Sequence, residues 1–373
     1  MPKKREIIVS VTNDLYTDNR VRKVCEFLVK HNFDVTLVGR KLKDSLTMPE
    51  NLPYKTKRFK LCFTKGALFY ANYNLRLFFY LLFHHADVLL ANDLDTLLAN
   101  HWARKFKKNC TLIYDSHEYF IGVPELENKP GVQKFWRRIE KKCLPRVSAM
   151  YTVNESIANL YRQEYGIPIQ VVRNIADKPT MVETKSRTEL GLPTGKRIII
   201  FQGAGINMHR GAEELISAMK HVNKAVLIFV GGGDVIEQLK KQTVKENLSD
   251  RVLFFGKQPY SRLLNFTRLA DLGVSLDKDT NINYRFSLPN KLFDYIHSHI
   301  PVLVSDLPEI KKIVQTYEIG IITRTHEPEL LASQINALFD DEELFARLKA
   351  NTKKASEELT WENECKVLEK IYL

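Results

Sequence analysis

The chain is predicted to fold as two successive α/β domains, each a parallel, doubly wound sheet. Three observations carry this. Short runs of Val, Ile and Leu recur without the alternation of a half-exposed strand, as in parallel strands buried on both faces. Amphipathic stretches separate them, which makes a βαβ series. The length of 373 residues suits two domains at ~150 residues each.

In the first half the strand candidates are REIIVSVT (5–12), FDVTLVGR (33–40), ADVLLAND (86–93), TLIYDSH (111–117), AMYTVN (149–154) and IQVVRN (169–174). Amphipathic helices are expected at Arg20–His31 and Asp95–Lys107. The polar, proline-punctuated stretch from Asp177 to Pro193 reads as a linker. A second series then follows: KRIIIFQG (196–203), KAVLIFVG (224–231), RVLFFG (251–256), LGVSL (272–276), PVLVSD (301–306) and IGIITR (319–324). Helices are expected at Gly211–His221 and Val235–Asn247, and from Pro328 to Leu373 throughout. The domains are therefore set at 1–176 and 177–350, with 351–373 as a terminal helical segment.

Composition is that of a soluble globular protein, 44% apolar and 27% charged. The five cysteines (Cys25, Cys62, Cys110, Cys143, Cys365) are scattered, odd in number and without a CxxC pair. They read as reduced cytosolic thiols rather than a disulfide frame or a zinc site. The apolar start is too short for a signal peptide, and the run Leu77–Phe83 is too short to span a bilayer. A cytoplasmic location is expected.

The net charge of +12 is unevenly placed. Residues 1–175 hold 29 Lys and Arg against 17 Asp and Glu, whereas the remainder holds 27 of each. The first half is thus expected to meet an anionic partner such as a membrane surface. The aromatic segment Ala67–His85, flanked by KTKRFK and RKFKK, reads either as a buried helix or as an interfacial one resting on lipid. No nucleic-acid-binding module is recognisable.

Ligands of doubly wound sheets bind beyond the strand carboxyl ends, so the loops there hold the candidate site. In the second half FQGAGINMHRG (Phe201–Gly211) follows a strand and opens a helix. Gly203 and Gly205 would let backbone approach a phosphate, and Arg210 would add a cation. FVGGGD, with Gly233, and RVLFFG, with Gly256, have a similar form. GLPTGK (Gly191–Lys196) is one residue short of a P-loop and precedes a strand, so it is rejected. In SLPNKLFDYI, Pro289 suits a helix start. Asn290, Lys291 and Asp294 then share one helix face, a set suited to a diphosphate and a ribose. In the first half, Asn13, Asp14, Asp93, His117 and Glu118 lie at strand ends and are the acceptor-side candidates. His117 could hydrogen-bond a sugar hydroxyl or phosphate oxygen. The Asp93-x-Asp95 pair could bind a metal on a donor, but a strand end and helix cap explain it better. No metal is assigned.

Taken together, YTVNES, VVRNI, MHRG, VGGGD, RVLFFG, SLPNKLFDYI and the closing TWENE occur in an order that resembles glycosyltransferase family 4. The resemblance spans nearly the whole chain. It implies the GT-B fold, two Rossmann-like domains facing each other across a cleft, with the last helix returning to the first domain. It also implies a retaining transferase that takes a sugar from a nucleotide diphosphate donor without a metal or other cofactor. A saccharide or lipid-linked acceptor, and bacterial surface polysaccharide or glycoconjugate synthesis, are implied as well. By the family pattern Arg210 and Lys291 form the diphosphate clamp, Asp294 meets the ribose and His117 the donor sugar, so His117, Arg210 and Lys291 are the catalytic assignment. Two positions depart. The first glutamate of the family's Glu-x7-Glu falls at Phe286, where Asn283 or Asp279 could substitute, and a usual arginine is replaced around Ala204.

Other readings are a GT-B sugar-nucleotide epimerase, which would give a basic first domain little purpose, and a catalytically silent binding subunit, which Phe286 favours. A nicotinamide oxidoreductase is a weaker reading still, because no GxGxxG with a ribose-binding acid follows Ile7–Thr12.

Overall fold

The structure is a computed structural model and describes residues 4–16, 18–176 and 184–373. It divides into two compact units, Met1–Asn174 with Cys365–Leu373, and Ile175–Glu364.

The first unit opens with β1 (Arg5–Asp14), α1 (Asn19–Lys30) and β2 (Phe33–Lys41). Next come β3 (Lys55–Lys60), α2 (Gly66–Phe83), β4 (Val88–Asn92), α3 (Leu94–Arg104) and β5 (Thr111–Ser116). It continues with α4 (Pro124–Glu127), α5 (Pro130–Cys143), β6 (Ala149–Thr152), α6 (Glu155–Tyr165) and β7 (Gln170–Val171). The sheet order is β3-β2-β1-β4-β5-β6-β7, all parallel. The apolar runs form its centre: Ile7, Val9, Leu89, Leu90, Leu112 and Tyr151 are essentially inaccessible.

One strand was not foreseen. KTKRFK was read as a basic cluster, yet it forms β3, at the sheet edge beside β2. Only Phe59 of β3 is buried. Its lysines face outward, and charge of that kind keeps an open sheet edge from pairing with another chain.

The second unit contains β8 (Arg197–Gly203), α7 (Ala212–Ala218), β9 (Ala225–Gly231), α8 (Ile236–Lys245) and β10 (Val252–Phe254). It goes on through α9 (Tyr260–Leu269), β11 (Leu272–Ser275), α10 (Ile282–Arg285), α11 (Asn290–His297) and β12 (Val302–Ser305). It closes with α12 (Pro308–Tyr317), β13 (Gly320–Thr323), α13 (Pro328–Asp340), α14 (Glu342–Glu358) and the first turn of α15 (Trp361–Tyr372), the rest of which belongs to the first unit. The parallel order β10-β9-β8-β11-β12-β13 repeats the winding of the first sheet. Two apolar layers cover its faces, one around Phe201, Leu227 and Leu239, the other around Ile200, Phe293 and Val304.

Two predicted boundaries shift. Residues 177–183 of the expected linker lie outside the described residues. From 184 on, the stretch belongs to the second unit: Leu190 and Leu192 are buried in its core, and Arg187 donates to Asp271 at 2.8 Å. At the other end, position 351 falls inside α14, which packs on α11, α12 and α13. The chain rejoins the first unit only at Cys365. There the Tyr372 hydroxyl lies 3.2 Å from that of Tyr151, its carbonyl accepts from Arg5 at 2.9 Å, and its ring meets Phe33 edge-on.

The aromatic helix is buried on one side only. On α2 the residues Phe69, Tyr73, Leu77 and Leu81, four apart, are buried. The Tyr73 hydroxyl donates to the Val11 carbonyl at 2.6 Å. On the other side Leu68, Leu75, Phe79 and Phe83 are exposed, Phe83 at 77%, with Phe106 after α3 at 66%. Among the described residues no helix is long and apolar enough to cross a membrane.

Candidate functional site

In the first unit the loops after β4 and β5 bring four groups together. Asp93, directly after β4, has φ +57° and ψ 163°, a backbone conformation nearly confined to glycine that costs other residues on the order of 1–3 kcal/mol. Its amide donates to the Asp115 carbonyl at 2.9 Å, and its Oδ1 accepts from the His117 amide at 2.9 Å. The bend thereby aims the Asp93 carboxylate at His117. That ring lies with Nδ1 3.2 Å from Asp93 Oδ2 and Nε2 3.3 Å from Asp115 Oδ2. Nε2 also lies 3.3 Å from Asn92 Oδ1, while the Asn92 amide nitrogen donates to the Ser10 carbonyl at 3.1 Å.

Both ring nitrogens thus face acceptors, and only the imidazolium has two N–H donors to meet them. Burial alone would lower the His117 pKa, but Asp93 and Asp115 outweigh it and hold it up at about 9. Asp115 is in turn fixed by Arg20 of α1, whose Nε and Nη2 donate to its two oxygens at 3.0 and 2.7 Å. Burial works to raise the Asp115 pKa, yet Arg20 and His117 bring it below the usual carboxylate value. Arg20 spends its other end on the Val172 carbonyl at 2.9 Å. His117 is therefore a fixed cation and not a base, and a ligand hydroxyl would share an N–H with a carboxylate.

The other first-half candidates are dispersed. Asn13 donates to Asp18 on an exposed turn. Asp14 is engaged by the Tyr16 amide and by the Ser45 hydroxyl, with Arg58 3.7 Å away. Glu118 is exposed. Asp95 turns away from Asp93: its Oδ2 accepts from Thr12 at 2.6 Å and its Oδ1 is buried without a partner. Burial, and then the charge of Asp93, push its pKa up to about 7.

In the second unit the loop 204–211 and α11 supply the cations. Gly211 sits at φ +73°, and a Cβ there would lie 2.5 Å from Leu276. Glycine is needed to bring Arg210 against the end of β11. Arg210 Nη1 donates to Asp277 Oδ1 at 3.0 Å, and the guanidinium rests 4.8 Å from the centre of the Tyr284 ring. Lys291, in the first turn of α11, holds its ammonium 4.5 Å from the centre of the Phe201 ring. Burial pulls the Lys291 pKa down, Asp277 raises it, and Arg210 lowers it further. These charges are therefore mutually coupled. Pro289 occupies the N-cap and no side chain caps α11, so its first N–H groups add to the local positive potential.

The glycines separate by role. A Cβ at Gly203 or Gly205 would meet nothing closer than 3.4 Å, so packing does not require glycine there. At Gly233 a Cβ would lie 2.1 Å from the Ile206 carbonyl oxygen, which makes this glycine a packing necessity, whatever it does for a ligand. Gly256 follows β10 at φ +61°, and its carbonyl accepts from the Gly231 amide at 2.8 Å.

Asn290 is exposed and does not share the setting of Asp294, which is buried. Asp294 accepts from Gln202 at 2.9 Å and from the Tyr260 hydroxyl at 2.7 Å. Asn283 lies on α10, whose amides at 283 and 284 are capped by Asn281. Asp279 pairs with Arg285 at 2.9 Å, and Phe286 ends α10.

Sequence reasoning missed Arg20, Asp277 and Tyr284. Asp277 had a usable signal, since it stands just past the strand LGVSL. Arg20 and Tyr284 had none, because each acts through a residue distant in sequence.

Two family models match the chain: Glycosyltransferase Family 4 over residues 18–178 and Glycosyl transferases group 1 over residues 182–355. Among curated relatives, a D-inositol 3-phosphate glycosyltransferase of Nocardia farcinica is 27% identical over 175 residues, 44% of this chain and 37% of the relative. A chitobiosyldiphosphodolichol beta-mannosyltransferase of Candida albicans is 21% identical over 72% of this chain and 63% of the relative. The matched portion is thus under two thirds of either relative. Of solved structures, a sucrose-phosphate synthase of Thermosynechococcus elongatus superposes with TM-score 0.80 at 17% identity, covering 99% of this chain and 98% of that one. Anabaena HepE, solved with UDP-glucose, gives 0.74 at 15% identity over 98% of each chain. At such identities the likeness establishes the fold, two Rossmann-like domains of GT-B type. With one family model on each half, the chain belongs to glycosyltransferase family 4.

Proposed function

We propose that this protein moves a sugar from a nucleoside diphosphate donor to a saccharide or lipid-linked acceptor, with retention of configuration and without a metal ion. The observation that carries the reading is Arg210, fixed between Asp277 and Tyr284 beside Lys291 at an uncapped helix start. Cleavage of the sugar–phosphate C–O bond leaves both bonding electrons on a phosphate oxygen. Fixed cations and helix N–H groups stabilise that charge as it develops. With His117 protonated between two carboxylates, the base that takes the acceptor proton is the departing phosphate, and the acceptor enters on the face it leaves. In the second unit Asp294 with Gln202 shapes the ribose side.

A bacterial surface polysaccharide or glycoconjugate is the product class we favour, made at the cytoplasmic face of the membrane. Attachment there is favoured by the exposed stripe Leu75, Phe79, Phe83 and Phe106, and by the neighbouring Trp102, whose ring lies under the ammonium groups of Lys105 and Lys142. Apolar surface ringed by cations suits an anionic lipid interface, where each basic residue contributes about 1 kcal/mol. Sedimentation with anionic vesicles at low salt, lost in neutral vesicles or in Phe79→Ser/Phe83→Ser, is expected. Protein left in the supernatant with anionic vesicles would rule the attachment out.

The transfer itself is tested by thermal shift and turnover with UDP-glucose, GDP-mannose and related donors, followed by NMR of the product's anomeric centre. An inverted product would overturn retention. Interconversion of donor sugars without acceptor would favour an epimerase, and binding without turnover a silent subunit.

A further inference from the structure

Asp277 is the least accessible charged group of the cation site, 2% exposed, and its bonding is incomplete. A carboxylate that fixes an arginine frequently does so through two parallel bonds to the guanidinium fork. Arg20 and Asp115 do this in the first unit. Asp277 makes one such bond, to Arg210 Nη1, while its Oδ2 and the Arg210 Nε are both buried without a hydrogen-bond partner. Arg210 also has a second support, the Tyr284 ring. The carboxylate is therefore a costly way to position a side chain that is already held. Its field reaches further, since it acts on Lys291 as well.

We propose that Asp277 is an internal counter-anion: it competes with the diphosphate for Arg210 and Lys291, and so keeps the nucleoside diphosphate product from being held too tightly. This rests on the diphosphate reading of the site given above. Two cations and one buried carboxylate attract a diphosphate less than the two cations alone. At such a site a like charge a few ångströms from the ligand is worth about tenfold or more in affinity. The transition state gains from cations that are in place. The cycle gains from a product that leaves, because release limits many enzymes. Asp277 acts through Arg210 and Lys291, so it is a positioning and charge-balancing residue, not a catalytic one.

The experiment is calorimetric titration of the full chain with UDP, GDP and inorganic pyrophosphate, on the wild type and on Asp277→Asn and Asp277→Ser. The expected result is about tenfold tighter pyrophosphate binding in both variants, with slower dissociation and a steeper salt dependence. A merely structural role for Asp277 predicts the reverse, because a loosened Arg210 binds less well. Weaker or unchanged binding overturns the proposal, and so does failure of both variants to fold, which would make Asp277 a scaffold residue. Arg210→Ala and Lys291→Ala belong in the same series. If neither weakens pyrophosphate binding, the diphosphate reading falls and this inference with it. If both weaken it and Asp277→Asn does too, only the counter-anion role is lost.

Discussion

The two units wind their sheets alike and charge their strand ends in opposite ways. The first carries the whole positive excess of the chain, yet the groups at its β4 and β5 ends are carboxylates: Asp93 and Asp115 around one histidine, with Asp95 bonded to Thr12 close by. The second has no positive excess, yet the ends of β8 and β11 and the start of α11 gather Arg210 and Lys291. Net charge describes a surface. What a site does is fixed by the few side chains that loops hold at short range.

That contrast can be broken at either end. The largest effect is expected in the second unit. Arg210→Ala and Lys291→Ala should each cost about 2–4 kcal/mol in kcat/KM, the scale of a lost donor to a developing oxyanion. Donor turnover near that of the wild type in both would detach the cations from the chemistry.

The next effect belongs to the first unit and is a matter of pH. His117 has a folded pKa of about 9, above its ordinary value of about 6.5. The stability it contributes is complete below pH ~6.5 and is lost as pH rises through 9, with a ceiling of about 3 kcal/mol. Asp95, raised to about 7, also binds its proton more tightly when folded, so stability falls as pH climbs from 4 towards 7. Melting followed from pH 6 to 9.5 should show a decline that His117→Asn reduces. An identical decline in that variant would remove the imidazolium from the account.

The smallest expected effect is none. With cations supplied by the protein, turnover should be unchanged in excess EDTA. Loss of activity restored by manganese would return Asp93 and Asp95 to consideration as ligands.

Much of the fold was legible because parallel strands are buried on both faces and read as unbroken apolar runs. The strand β3 was not, since an edge strand spends its lysines on solvent and has one buried residue, Phe59, to betray it. Helix α2 was legible as a helix but not as to which side packs, because Phe and Leu occupy both sides. At the site, Arg210 and Lys291 could be picked out from glycine loops and a helix start. The partners that decide what those groups do could not. Asp277 and Tyr284 meet Arg210 across 67 and 74 positions of sequence, and Arg20 meets Asp115 beside His117 across 95; such pairings belong to the sheet order rather than to any local pattern. At Gly233 the packing need was hidden as well: the motif VGGGD does not reveal that a Cβ there would lie 2.1 Å from the Ile206 carbonyl oxygen.

The return of residues 365–373 to the first unit has a consequence for how the chain is made. During synthesis the first 174 residues leave the ribosome well before Tyr372 does, so Tyr151, Phe27 and Phe33 wait with part of their cover missing. The second unit lies wholly within that interval and can reach its own packed state first. Assembly therefore runs against the order of translation, with the earlier-made unit finished last.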